Sequence, residues 1–472
     1  MQPNTSRRTF LTTGAAATVG ITTLAGCTSR LPGVGNDDPS SVADEIDQDS
    51  LGDREASEEV EIDFWLAVGA EDLAQEMADD FAAESDTISV DVSQEGDYNE
   101  VYNGTQQAQT ADDPPEIVHL NAVHTLPASA EDVVVPVGDL IDEALDTDDF
   151  VDAVGNYYVD EEDDVLLGLP FAVSTVTCSY NVDAFEDAGL ETDPDSVPLE
   201  TFEEWTATSE ALVADAGFPQ AVTWPTLGWF YESFMSMQGQ EFLNNDNGRS
   251  APATEALLDT DAVEEIYAWN QALYEDDYYL NSSGWGDARQ AFLNEEAAVL
   301  LDSSSNLAAM ADGAAEAGFE HEVGAVPHHG DREGEGLIIG GGSLFVPTGV
   351  DGPELEAAAE FLLWLSEPEQ QARWHMETGY YPTSLEAEQI AESEGFYDEF
   401  PQFQRAFQQL TDRPETTATA GALTYDHGEV RDELDNGLDR LLGGDPLDDV
   451  LESMKDDVDA VLDRASADDP RA

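Results

Sequence analysis

The run "VEIDFWLAV" (residues 60–68) is where folded structure begins. Before it, residues 28–58 are Gly, Pro, Ser and acid with almost no large apolar side chain, the composition of a flexible tether. The run itself reads as a strand, and Leu73, Met77 and Phe81 follow at four-residue spacing, which predicts a helix. "TISVDVSQ" (87–94) reads as a second strand, Tyr98–Gln109 as a helix, and "PEIVHLNA" (115–122) as a third strand, reached through the breaker "DDPP". Alternation of strand and helix is the signature of βαβ units and a mainly parallel sheet.

After "LLGLPFAVST" (166–175) the pattern shifts to long helices with aromatic positions, as in "LETFEEWTATSEALVADAG" (199–217). Short apolar strands return near "EAAVLLDSSSNLAAM" (296–310) and "HEVGAVP" (321–327), and helices dominate from Glu354 onward. No internal repeat or low-complexity tract lies within residues 59–465. At 472 residues the chain exceeds what one core usually supports. Two α/β lobes, connected more than once with a ligand between them, account for this pattern economically.

Charge narrows the setting. Lys and Arg number 15 against 104 Asp and Glu, a formal net charge of −89. Eight Trp, fourteen Tyr and nineteen Phe argue for a packed core rather than disorder. Such a surface suits very high salt, where the screening length falls to roughly 3 Å and like charges barely interact. A folded, halophilic protein is expected. Nucleic acid and anionic membrane surfaces would repel it, so no nucleic-acid partner is expected.

The N-terminus reads as an export signal. Arg7 and Arg8, followed by Phe10 and Leu11, resemble a twin-arginine signal, and the apolar run after them is too short for a comfortable membrane span. It closes on "LAGC", which resembles a lipobox with Cys27 as the lipidated residue. A simple anchor helix is the alternative. Either places the body on the extracellular face of the membrane. Beyond Cys27 only Cys178 remains, so no intrachain disulfide can form, and its apolar surroundings mark Cys178 as a buried small hydrophobe.

Several chemistries lack their residues. Lys455 is the only lysine, so a P-loop, a kinase site and a Ser-x-x-Lys nucleophile are absent, and a Schiff-base enzyme is implausible. No G-x-S-x-G elbow occurs, and "GLIIGGGS" (336–343) lacks the G-x-G-x-x-G spacing. His328 and His329 beside Asp331 suggest a metal, but adjacent histidines in a Gly-rich loop are usually solvated. Carboxylate pairs are too numerous here to be specific. No cofactor and no catalytic residue is expected.

Residues 338–400 contain "IIGGGSL", "ARWH", "TGYYP" and "GFYDE", and upstream stands "PFAVSTVTCSYNVDAFEDAGL" (170–190). These segments resemble the extracellular solute-binding proteins of ABC uptake transporters, the maltose-binding-like group, and within it the glycerol-3-phosphate-binding branch. The resemblance covers roughly residues 60–465. It implies a two-lobed periplasmic-binding-protein-like fold of type II, closing on a small-molecule ligand and presenting it, as a monomer, to a membrane permease. It places the lobes at 59–171 plus about 298–347 and at 172–297 plus 348–466. By matching motif it puts ligand contacts at Tyr98 ("GDYNEV"), Ser174 ("PFAVST"), Ser304 ("LLDSSSN"), Gly341 ("IIGGGS"), Tyr380 ("TGYYP") and Arg431 ("HGEVR"). One position departs: where the family has a glutamate on the glycerol hydroxyls, this chain has Ala122, with Asn121 and His124 near.

The residues can also be read without the resemblance. A phosphate in a cleft needs a guanidinium fork, hydroxyls, and N–H groups at helix starts or glycine nests. The serines could equally be helix caps, and Tyr98 and Tyr380 could be core. Trp224 and Trp229 in "TWPTLGWFYESF" (223–234) are either an aromatic wall for a polyol or core packing. Arg431 is either the phosphate contact or a surface arginine paired with Glu429 or Asp435. The expected ligand is sn-glycerol-3-phosphate or a glycerophosphodiester; a sugar or oligosaccharide is the alternative, and a secreted hydrolase the distant one.

Overall fold

A computed structural model describes Ile46 and residues 51–472, apart from residues 68, 142–143, 146–149, 161–164, 333, 414, 470 and 472. The signal motif and Cys27 lie outside the described residues. Strands β1 (Val60–Leu66), β2 (Ile88–Gln94), β3 (Ile117–Asn121), β4 (Val134–Val135) and β5 (Leu169–Ser174) come first. They are followed by β6 (Val176–Asn181), β7 (Val222–Pro225), β8 (Tyr279–Ser282), β9 (Val299–Ser303) and β10 (His321–Gly324). Strand β11 (Gly340–Pro347) comes last.

These strands form two sheets. The first runs β2-β1-β3-β11-β4, with β5 also on β11; the second runs β8-β7-β9-β6-β10. β1, β2 and β3 are parallel, and β7, β8 and β9 are parallel. Each sheet then gains an antiparallel member, β11 in the first and β6 in the second. Helices α1 (Glu71–Glu84) and α2 (Tyr98–Thr110) belong with the first sheet, as the βαβ pattern predicts. Met77 and Phe81 of α1 are fully buried, and the Phe81 ring meets Phe361 at 5.0 Å. Each such side chain taken from water contributes roughly 1.5–3 kcal/mol.

Helices α3 (Gly228–Met237), α4 (Trp285–Leu293) and α5 (Leu307–Ala317) follow. Then come α6 (Gly352–Ser366), α7 (Pro368–Thr378), α8 (His427–Leu442) and α9 (Leu447–Asp468). Residues of α6 and α7 enter the core of the first sheet, while α8 and α9 enter that of the second.

The lobe boundaries therefore differ from the expectation at two places. Strands β9 and β10, expected in the first lobe, pair with β6 in the second sheet. Residues of the 355–410 region, expected in the second lobe, pack in the first core. The chain crosses between the sheets at Thr175, again between β10 and β11, and again between residues 411 and 427. Periodicity assigns a strand its buried face but not its sheet, and that is why the exchange was not readable. The tether also ends earlier than expected. The N–H groups of Gly52 and Arg54 donate to the Glu360 carboxylate, and Arg54 pairs with Glu84 and Glu367, so residues 52–54 are fastened to the first lobe.

Candidate ligand-binding cleft

A cleft of about 920 Å³ is lined from both cores. On the first side, Asp97 caps α2 by accepting from the Glu100 N–H, and Glu100 reciprocates. This capping box fixes Tyr98 in the first turn, where it faces the cleft. Tyr380 follows α7, which Gly379 ends in the left-handed conformation. The His375 Nδ1–H donates to the Tyr380 carbonyl at 2.7 Å and holds that turn. Burial pushes the Tyr380 hydroxyl up to about 12, with Ser305, Tyr98 and the Arg289 charge pulling against it.

On the second side, the spacing of "HGEVRDELD" (427–435) sets the geometry. His427, Arg431 and Asp435 are four residues apart and so share one face of α8. That face meets α3. Arg431 Nε donates to Glu232 Oε1 at 2.7 Å, and Nη2 reaches Oε2 at 3.4 Å. His427 Nε2 lies 3.0 Å from the same Oε1. Asp435 accepts the N–H of Gly228 at the start of α3. A Cβ on Gly228 would sit 3.1–3.2 Å from the Arg431 backbone and side chain, so a larger residue there would push the helices apart by a few tenths of an ångström.

Glu232 is 2% exposed and the Arg431 side chain 18%. Burial alone would raise the Glu232 carboxyl, but the Arg431 charge and His427 outweigh it and hold it at about 2. Burial is also the main cause at His427, where it lowers the pKa. It raises Asp435 to about 7, aided by Asp432 and Asp439 and opposed by the Gly228 N–H and Arg431.

The structure brings Tyr98, Ser174, Trp229, Gly341, Tyr380 and Arg431 to this one cleft. Two expected residues are elsewhere. Ser304 is fully buried and its Oγ accepts the Thr175 N–H at 3.3 Å, while Ser303 and Ser305 on either side face the cleft. The 3-10 turn that begins at Ser304 rotates that hydroxyl inward to the crossing. Trp224 is fully buried in the second core, stacked on Tyr279 at 4.1 Å between ring centroids. The aromatic pair facing the cleft is instead Trp229 and Trp285, 6.1 Å apart. Ala122 opens the short turn after β3 and is buried; Asn121 and His124 beside it line the cleft. Arg431 pairs with neither Glu429, which takes Arg464, nor Asp435. His328, expected to be solvated, is buried, with Nδ1 on the His329 carbonyl at 2.9 Å.

Glu232 and Arg289 escaped the sequence reading. Glu232 is the single charge inside the apolar helix "GWFYESFMSM" (228–237), and that isolation was its signal. Arg289 stands four residues after Trp285, an aromatic–cation spacing on one helix face.

Comparison with known proteins fits this arrangement. The family described as bacterial extracellular solute-binding protein matches residues 76–403, more than half of the chain. The sn-glycerol-3-phosphate-binding periplasmic protein UgpB of Escherichia coli K12 is 29% identical over 399 residues, covering 81% of this chain and 88% of that protein. Its counterpart in Pectobacterium atrosepticum is 28% identical over 397 residues, covering 81% and 87%. Among solved structures, UgpB of Mycobacterium tuberculosis in complex with glycerophosphocholine aligns with a TM-score of 0.73 at 21% identity, covering 86% of this chain and 99% of that one. The sugar-binding protein MalE of Xanthomonas citri aligns with a TM-score of 0.69 at 18% identity, covering 86% and 98%. The fold is that of these two-lobed binding proteins, and the chain belongs to the bacterial extracellular solute-binding protein family.

Proposed function

We propose that the protein is the solute-binding component of an ABC importer and takes sn-glycerol-3-phosphate or a glycerophosphodiester in the cleft. The observation that carries this reading is Arg431, a guanidinium on the cleft wall whose orientation is set from behind by buried Glu232. Its Nη1 makes no hydrogen bond to the described residues, which leaves an N–H edge for a phosphate oxygen. The buried hydroxyl of Tyr98 lies beside that of Tyr380, and both tyrosines and the Gly340–Gly341 backbone stand at the same cleft. The similarity to glycerol-3-phosphate-binding relatives points the same way. The Trp229–Trp285 pair favours the second reading, a neutral sugar stacked on indole rings. Calorimetry in molar salt with glycerol-3-phosphate, glycerophosphocholine and maltose separates the two. Binding of maltose alone would remove the phosphate reading.

Lipid anchoring through Cys27 and export in the folded state belong to the same proposal, since the importer's permease is in the membrane. Cys27→Ser is expected to release the protein from washed membranes, because the lipid chains alone would hold it there. Among the described residues no helix is long and apolar enough to cross a membrane. A mutant that stays bound after a salt wash would refute the lipobox.

Halophilic adaptation makes a separate prediction. Moving from molar salt to about 0.1 M lengthens screening to roughly 10 Å, so the net charge of −89 becomes self-repelling and the melting temperature is expected to fall. A salt-independent melting temperature would contradict it.

A further inference from the structure

The cleft contains a second guanidinium built on the same plan as Arg431. Arg289 of α4 lays Nε and Nη2 against the two carboxylate oxygens of Asp302 on β9, at 2.7 and 2.9 Å. Asp302 is 2% exposed, so a buried acid again fixes the fork from behind. The Arg289 side chain is 27% exposed and faces the cleft. Its Cζ lies 5.5 Å over the Trp285 ring, which fixes the guanidinium plane from a second direction. Nη1 makes no hydrogen bond to the described residues, as at Arg431.

The two arginines occupy different stations. The charge of Arg431 is felt at His124, at the end of β3, where burial is the main cause of a pKa near 4 and Arg431 adds to it. The charge of Arg289 is felt instead at Tyr380, beside Ser305. Gly228 packs on Arg431, the adjacent Trp229 reaches Trp285, and Trp285 lies under Arg289. An indole floor therefore links one cation to the other. Both arginines are anchored in the core of the second sheet, so a hinge motion would leave their separation unchanged.

We infer that the ligand carries two anionic groups separated by a polyol span, the first on Arg431 and the second on Arg289. This rests on the phosphate reading of Arg431 and narrows it. A ligand with one phosphate would satisfy Arg431 and leave the outward edge of Arg289 to water. A second phosphate or carboxylate at the far end would take that edge in a charge-assisted hydrogen bond, with the hydroxyls of Ser303 and Ser305 nearby.

Calorimetry on the full chain in molar salt tests this with glycerophosphoglycerol, which bears one charge, and the same molecule carrying a terminal phosphate. Wild type is expected to prefer the doubly anionic form by at least about tenfold, the scale of one hydrogen bond to a charged group. Arg289→Gln should abolish the preference, read as the ratio of the two affinities within the one variant so that any general loss of binding cancels. Because that variant strands buried Asp302, the double substitution Arg289→Gln with Asp302→Asn serves beside it, and it should lose the preference equally. A preference that survives in the double variant overturns the assignment. Equal binding of both ligands by wild type also overturns it while leaving the phosphate reading of Arg431 standing; binding of neither removes both.

Discussion

Arg431→Ala is expected to weaken binding of glycerol-3-phosphate by a hundredfold to several thousandfold, the equivalent of about 3–5 kcal/mol for removing one partner of a desolvated ion pair. The same substitution is expected to destabilise the fold, which a surface arginine would not do. Its partner Glu232 is buried, and burial disfavours the charged form of His427, which among the described residues is the other group on that carboxylate. Without Arg431 the carboxylate must keep an uncompensated charge or take up a proton. The sign with pH follows. Glu232 has a folded pKa of about 2 against an ordinary 4.5, so the stability from the pair is fully present above 4.5 and lost as pH falls through 2. The stability gap between wild type and Arg431→Ala should narrow over that interval in chemical denaturation.

Separating the ligand role from the folding role requires a variant that restores the second without the first. Arg431→Gln combined with Glu232→Gln removes both charges and keeps polar groups of similar shape, so melting should recover much of the loss. Affinity should not recover, because no guanidinium remains. Arg431→Lys should retain part of the affinity, since an ammonium gives the charge but not the planar two-point contact. If the folded double variant bound glycerol-3-phosphate as wild type does, Arg431 would be a structural residue of the α3–α8 interface, and the phosphate assignment would lose its main support.

The elements that were readable are those whose periodicity is local. Residues 60–66 and 88–94 became strands, and Met77 and Phe81 went inside, because alternation and four-residue spacing report directly on which face is covered. The glycine and tyrosine positions of the cleft came through resemblance in short motifs. The partners behind the cations were not readable. Glu232 and Asp302 are 199 and 13 residues away from the arginines they hold. In a chain with 104 acidic residues no pairing can be singled out by composition. Trp224 and Trp229 are five apart and looked equivalent, but one sits on a strand turned into the core and the other at the start of a helix that opens on the cleft. A change of element between them, not a change of residue type, separates wall from core.

Gly341→Ala is the second substitution expected to have a large effect, and it asks whether that position serves the ligand or the backbone. Gly341 has φ +80, and a Cβ placed there would lie 2.0 Å from the carbonyl oxygen of Ala172 on β5. The obstacle is backbone of a paired strand, so no side chain can swing aside; β11 and β5 must separate or Gly341 must change conformation. A non-glycine residue in the left-handed region costs about 1–3 kcal/mol, and overpacking adds about 1–3 kcal/mol. At about 1 °C per kcal/mol for a folded body of this size, a fall of about 2–6 °C in melting temperature is expected. The damage should also reach the cleft, because β5 carries Ser174 and passes through Thr175 alone into the second sheet. Thr175 in turn donates to the Ile338 carbonyl at 2.7 Å, so two crossings are tied at this point. If Gly341 did no more than offer its N–H to a phosphate, alanine would preserve that N–H, and both melting and affinity would be close to wild type. A normal melting curve for Gly341→Ala would therefore show that the β5–β11 pairing can yield without cost, and the steric account of this glycine would have to be abandoned.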